Sequence, residues 1–235
     1  MAYVIPQPPQ AAIPVEGGGL FPVRRIWCVG RNYADHAREM GHDPDREPPF
    51  FFAKHADTVV PGGGVLAYPA MTKDLHHEIE LVVALSSGGT DIKEADALSH
   101  VYGYCVGLDM TRRDLQAEAK KLARPWEMGK AFDASCPVSS IMPATRIGHP
   151  SSGAVTLTVN GQVRQQGDLN QLIWSIPETI AILSRYVGLA AGDLIMTGTP
   201  AGVAAVGPGD VMDGSVAGVG SLTVRYVAAV ATKAA

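Results

Sequence analysis

The sequence predicts an α+β fold dominated by β-structure, organised as one domain (residues 22–235) behind a short N-terminal arm (1–21). Three observations predict it. Apolar stretches are short and bounded by turn residues, with 26 Gly and 17 Pro in 235 residues. The second half alternates apolar and polar residues around Asn160-Gly161, a type I′ hairpin signal. Helical periodicity is confined to a few stretches, and neither a repeat nor a change of composition marks a linker.

The arm follows from Pro6, Pro8, Pro9 and Pro14, since proline favours extended geometry and cannot join the middle of a sheet. Ile26–Val29 reads as a strand ended by Gly30. Asn32 reads as the N-cap of a short helix through Met40, closed by Gly41, and residues 42–49 as a loop. Phe50–Lys54 reads as an aromatic strand and Gly62–Gly64 as a turn. Residues 73–85 read as a strand, 93–100 as a helix and Val101–Leu108 as a glycine-marked strand. Thr111–Ala123 is amphipathic at helical spacing, with Asp109 or Thr111 as its cap. Residues 125–137 are irregular. Ala154–Val159 and the residues after Gly161 form the hairpin, and Ile176–Tyr186 is a helix with Pro177 in its first turn. Residues 192–202 run from a strand into a Gly/Pro loop, and the last strands lie near Val211 and Ser221–Val227.

A net charge of −4 and a pI near 5.9 give no electrostatic footprint for nucleic acid or an anionic membrane, which leaves small molecules as partners. Cys28, Cys105 and Cys136 are odd in number and widely spaced, as expected of buried thiols in a reducing compartment. The N-terminus has no basic and apolar signal pattern and no apolar run approaches a membrane span, so a soluble cytoplasmic protein is expected.

The chemistry centres on His76-His-Glu-Ile-Glu80. On a strand, alternation puts Glu78 and Glu80 on one face with His76, and two like charges there call for a cation, a proton or a basic side chain. The plain alternative is a solvated sheet face. With Asp109 they make a three-carboxylate oxygen site suited to Mg²⁺ or Mn²⁺. Asp109 also reads simply as a helix cap. His76 would make the site more zinc-like, and the plainer reading has it packing or orienting a ligand. His36 and Glu39, three apart on a helix, are either an ordinary surface pair or a general base with its orienting carboxylate. Taken singly, Lys130 is a solvated lysine, and Gln116 with Arg112 and Arg113 is a polar helix face. The Gly198–Gly202 loop lacks the ending of a phosphate loop.

Gly30-Arg-Asn-Tyr-Ala-Asp-His36, His77-Glu-Ile-Glu80, Gly107–Gln116, Gly129-Lys-Ala-Phe132, Val159-Asn-Gly161 and Thr197–Gly202 occur in that order. Together they resemble the fumarylacetoacetate hydrolase family over residues 22–228, closest to its bacterial acylpyruvate-cleaving branch. The resemblance implies a mixed β-sandwich roll with a few short helices, a homodimer, and Mg²⁺ or Mn²⁺ held by Glu78, Glu80 and Asp109. It further implies a catalytic His36–Glu39 pair on a mobile helix, catalytic Lys130, and substrate contacts from Arg31, Gln116 and Thr199. Lys54-His55 stands where related sequences read Lys-Pro, a change at the turn beside the site. The implied reaction is hydrolysis of a C–C bond in a 2,4-dioxo acid, foremost 3-fumarylpyruvate from gentisate-type aromatic degradation. Oxaloacetate decarboxylation or oxo-acid tautomerisation is the enzymatic alternative, and a silent cation-binding scaffold the non-enzymatic one.

Overall fold

A computed structural model describes residues 3–39 and 47–229. Its centre is an eight-stranded mixed sheet. Seven strands run in the order Phe50–Lys54, Arg25–Gly30, Asp193–Met196, Ile79–Leu85, Val101–Leu108, Cys136–Val138, Val59–Pro61, and Met142–Pro143 pairs beside Val101–Leu108. A five-stranded sheet (Gln162–Asp168, Ala154–Val159, Val211–Val216, Gly220–Val227, Gly64–Ala67) packs against it, and a three-stranded patch joins Thr111–Arg112, Leu75–His76 and Ala205–Val206. This is the β-dominated sandwich roll expected from the sequence.

Ile79–Leu85 is buried at every position, because it separates two cores. Leu81 and Val83 face the second sheet and the helix Ile176–Tyr186, meeting Leu157, Met212, Ile180 and Leu183. Val82 and Ala84 face the opposite side with Cys28, Cys105, Cys136 and Met196. A slip by one residue would force Val82 and Ala84 into the space shaped for Leu81 and Val83 and turn Glu80 to the opposite face, so packing on both sides holds Glu80 at the strand's entrance.

The hairpin is as expected: Val159 pairs with Gln162, and Asn160 and Gly161 both take positive φ, as a type I′ turn requires. The helix Ile176–Tyr186 also has its expected bounds, with Pro177 in the first turn and a capping box between Ser175 and Glu178.

Several expectations need correction. Residues 12–22 are not an extended arm. Ala12–Pro14 and Leu20–Pro22 pair as a ribbon whose Ile13 and Phe21 cover the cysteine-lined core; those apolar side chains gain more by burial than the prolines lose in ladder bonds. Residues 73–85 are not one strand. Leu75–His76 and Ile79–Leu85 are separate, with His77 and Glu78 in the break. The helix after Asp109 starts only at Arg113, so neither Asp109 nor Thr111 is its cap, and Glu94–His100 is a 3₁₀ helix. The first helix spans Ala34–Glu39. Gly41 and residues 42–46 lie outside the described residues. Asn32 does not cap that helix: its amide donates to Trp174 O (2.9 Å) and Thr197 O (2.8 Å), and its carbonyl accepts from Trp174 N (2.7 Å). His55 has φ −75°, within the range a proline ring imposes, so the departure at Lys54-His55 leaves the turn as it would otherwise be.

Candidate metal and active site

Glu78, Glu80 and Asp109 come together at one end of the central sheet. Glu80 enters it from Ile79–Leu85, Asp109 follows the neighbouring strand, and the pairing of Glu80 with Gly107 sets the two side by side. Each offers a carboxylate oxygen within 4.8 Å of the others, and all three are buried. They line one narrow cleft, together with His36, Arg113, Gln116 and Lys130.

Three cations balance these three acids. Lys130, from the short helix Glu127–Lys130, donates to Glu78 Oε2 (2.7 Å) and Asp109 Oδ2 (2.8 Å). Arg113 Nη2 reaches Glu78 Oε1 at 2.5 Å. Lys54 Nζ lies 2.9 Å from Asp109 Oδ1, but its hydrogen bonds go to the carbonyls of Met110 and Lys130. Charge therefore reaches Asp109 Oδ1 without an aligned hydrogen bond, and that buried oxygen has no hydrogen-bond partner.

The balance is uneven. Burial opposes ionisation of Glu78, yet Lys130, Arg113 and then His36 outweigh it and hold its carboxyl well below the usual range. Glu80 accepts from Gly198 N at 2.6 Å, and burial, then Asp109 and Glu78, push its pKa well above the ordinary value. Burial by itself would lower Lys130, but Asp109 and Glu78 raise it, so it stays an ammonium. A cluster of hard oxygen donors with one orphaned acceptor and one destabilised carboxylate fits a divalent cation such as Mg²⁺ or Mn²⁺.

Of the other sequence candidates, His36, Arg31, Gln116, Lys130 and Thr199 all line the cleft. His36 Nδ1 is 3.3 Å from Glu39 Oε2. Glu39 stands behind the histidine rather than in the cleft and is held by the main-chain N–H of Gly202 (3.2 and 3.1 Å). The loop that bonds Glu80 through Gly198 and Glu39 through Gly202 needs glycine at both: φ is +96° and +97°, and a Cβ at Gly202 would lie 2.0 Å from Arg164 O. Gln116 accepts from Arg113 Nη1 (2.7 Å), and among the described residues its NH₂ has no acceptor, so it can donate into the cleft. The Thr199 hydroxyl donates to Ile79 O (2.7 Å), so its hydrogen is already used.

His76 is not a ligand. Its Nδ1 accepts from Arg113 Nε (3.4 Å) and its Nε2 bonds Asp74 (2.9 Å), so it steadies the arginine that holds Glu78. Burial, then Arg113, lowers its pKa, consistent with a neutral ring.

Sequence reasoning missed the pairings of Arg113 and Lys54 with the acids, and also missed Gln165. The Gln165 side chain accepts from Ile79 N (3.2 Å), bonds His77 Nδ1 (2.7 Å), and donates to Thr199 Oγ1 (2.7 Å) and Pro200 O (2.8 Å). It thereby ties the Glu80 strand to the glycine loop. Nothing in its local sequence marks it, because all its partners come from distant parts of the chain. Phe50, Phe52 and Trp126 wall the cleft.

The family model for the fumarylacetoacetate (FAA) hydrolase C-terminal region matches residues 25–227. The fumarylpyruvate hydrolase of a Ralstonia species is 43% identical over 186 residues, 78% of this chain and 96% of that protein. The mitochondrial oxaloacetate tautomerase FAHD1 of Rattus norvegicus is 43% identical over 208 residues, 86% of this chain and 94% of that protein. A crystal structure of Pseudomonas aeruginosa fumarylpyruvate hydrolase with Mn²⁺ and pyruvate superposes with a TM-score of 0.95 at 51% identity, covering 97% of this chain and 100% of that one. With the family model matched over nearly the whole chain and such relatives covered almost end to end, the chain belongs to the fumarylacetoacetate hydrolase family.

Proposed function

We propose that the protein hydrolyses the C3–C4 bond of a 2,4-dioxo acid, with 3-fumarylpyruvate giving fumarate and pyruvate as the principal reaction. The observation that carries this reading is the pairing, in one cleft, of a carboxylate-backed histidine, His36, with a hard-ligand trio. The Ralstonia relative and the Pseudomonas structure, whose printed names are fumarylpyruvate hydrolases, support it.

Glu78, Glu80 and Asp109 would hold Mg²⁺ or Mn²⁺, which when bound supplies Lewis-acid polarisation of the substrate's 2-oxo-acid end. Glu39 accepts from His36 Nδ1–H and so leaves Nε2 as the base. His36 takes a proton from water while the water oxygen bonds to C4. Lys130 and the free NH₂ of Gln116 face the negative charge that develops on the C4 oxygen. The C3–C4 bond then breaks with its electron pair on C3, and the proton taken from water ends on that carbon. Water and dioxo acid thus become one carboxylic acid and pyruvate. Arg31 and the main chain at Thr199 border the bound substrate. The Ala34–Glu39 helix, anchored through Gly202, keeps bulk water away when seated. A cytoplasmic homodimer serving gentisate-type aromatic degradation is the setting that goes with this reading.

Oxaloacetate tautomerisation, supported by the printed name of the rat relative, or decarboxylation, supported by that of an oxaloacetate decarboxylase of Dictyostelium discoideum, is the second reading. Those reactions move a proton or lose CO₂ at carbon 3 and need no water attack, so they need no base aimed at water. The test is an ultraviolet assay of fumarylpyruvate, acetylpyruvate and oxaloacetate with Mn²⁺ and after chelation, with products identified. Chelator-sensitive release of pyruvate and fumarate is expected. Turnover of oxaloacetate with no cleavage of any dioxo acid would replace the hydrolase reading with the second.

A further inference from the structure

The inner cleft is charge-matched: three carboxylates face Lys54, Lys130 and Arg113. Two more cations line the same cleft, Arg31 and Lys120. Among the described residues neither is ion-paired with a carboxylate. Each rests instead on an aromatic ring, Arg31 Cζ 5.3 Å from the centroid of Phe50 and Lys120 Nζ 5.0 Å from that of Trp126. Those two rings meet edge to face with centroids 5.5 Å apart, so the cations flank one aromatic pair. Arg31 takes this place with φ +58°, a left-handed conformation that non-glycine residues rarely adopt and that clusters at functional sites.

We propose that Arg31 and Lys120 form a subsite for a terminal carboxylate on the acyl chain, and that they select dianionic acylpyruvates over monoanionic ones whose acyl end is uncharged. The inference rests on the dioxo-acid reading above and adds to it the residues that read the far end of the acyl group. A divalent cation at the acidic end takes the oxo-acid end of such a substrate, and the unpaired cations take the other. Phe50 and Trp126, in contact with each other, give that part of the cleft an aromatic wall against which a planar, conjugated chain can lie. Partial burial, then repulsion by Arg113 and Arg31, lowers the pKa of Lys120, which still keeps an exposed side, and an anion bound beside it would oppose that repulsion.

The test compares kcat/KM for fumarylpyruvate and its terminal methyl ester on Mn²⁺-loaded enzyme. The wild type should prefer the diacid by about 100-fold. Lys120→Met should cut that preference at least about tenfold, and Lys120→Arg should restore most of it. Equal use of both substrates by the wild type, or an unchanged preference in Lys120→Met, would overturn the subsite. If the wild type cleaves neither, the hydrolase reading fails, and calorimetric binding of fumarate against crotonate decides the subsite alone. Tighter fumarate binding that Lys120→Met abolishes supports it; equal binding rejects it.

Discussion

Lys130 donates to Asp109 Oδ2 at 2.8 Å with almost none of its side chain exposed, so each charge depends on the other for solvation. Removing one member of a buried pair costs about 3–5 kcal/mol because the other is left uncompensated. Lys130→Met should therefore lower stability by that order in urea unfolding without divalent metal. Added Mn²⁺ should recover a large part of the loss. A variant as stable as wild type in chelator would show that the pair is not the electrostatic centre of the site.

Glu80 and Glu78 respond to pH in opposite directions. Glu80's pKa is raised on folding, so its contribution is full below the unfolded value near 4.5 and is lost as pH rises through the folded value. Glu78's is lowered, so its contribution is present above that value and is lost in acid. Bound cation removes the Glu80 penalty. The rise in Tm on adding Mn²⁺ should consequently grow with pH above about 5. Glu80→Gln should melt no lower than wild type in chelator, because it keeps an acceptor for Gly198, and should lose most of the Mn²⁺-dependent rise. Melts across pH with and without Mn²⁺ check both.

Asn32 donates to the main-chain carbonyls of Trp174 and Thr197 and accepts from Trp174 N, sharing Trp174 O with the Thr179 hydroxyl. Asn32→Ala should cost about 2 kcal/mol in chemical denaturation, since it strands the buried Thr197 carbonyl and removes the bonds to Trp174. It joins the start of the Ala34–Glu39 helix to the loop at Thr197, so turnover should fall as well. Full stability would contradict the bracing role.

Glu39→Gln keeps the size of the side chain and an acceptor for Gly202 N, so the helix stays anchored, but it weakens the hold on the His36 Nδ1 proton. It should reduce kcat by about 10²-fold while Mn²⁺ affinity, by calorimetry, stays within error. A parallel loss of metal binding would place Glu39 in the ion site instead.

Within the acidic trio, Asp109 is distant in the chain and was matched to the others through the family resemblance, not through spacing. The pair Glu78 and Glu80 was legible in the sequence because close spacing of like charges demands compensation, even though Glu78 lies outside the strand. The helix Ile176–Tyr186 and the Asn160-Gly161 turn were legible for a similar reason: Pro177 and Gly161 act through local backbone geometry. Spacing failed where distant segments decide. The break at His77-Glu78 arises because Leu75–His76 pairs with Thr111–Arg112 and Ala205–Val206 rather than continuing in the central sheet. Asn32 has the composition of a cap, but its partners lie more than 140 residues on in the chain. The prolines of residues 1–21 suggested an arm, while Ile13 and Phe21 answered to a core that only the folded sheet creates.

The stretch from Gly198 to Gly202 works like a short beam, with Glu80 hung from one end and Glu39 from the other. A load at either end is felt at both. Filling the acidic pocket should favour the docked position of the Ala34–Glu39 helix, and docking that helix should tighten the grip on the cation by the same factor, because coupling between two sites is reciprocal.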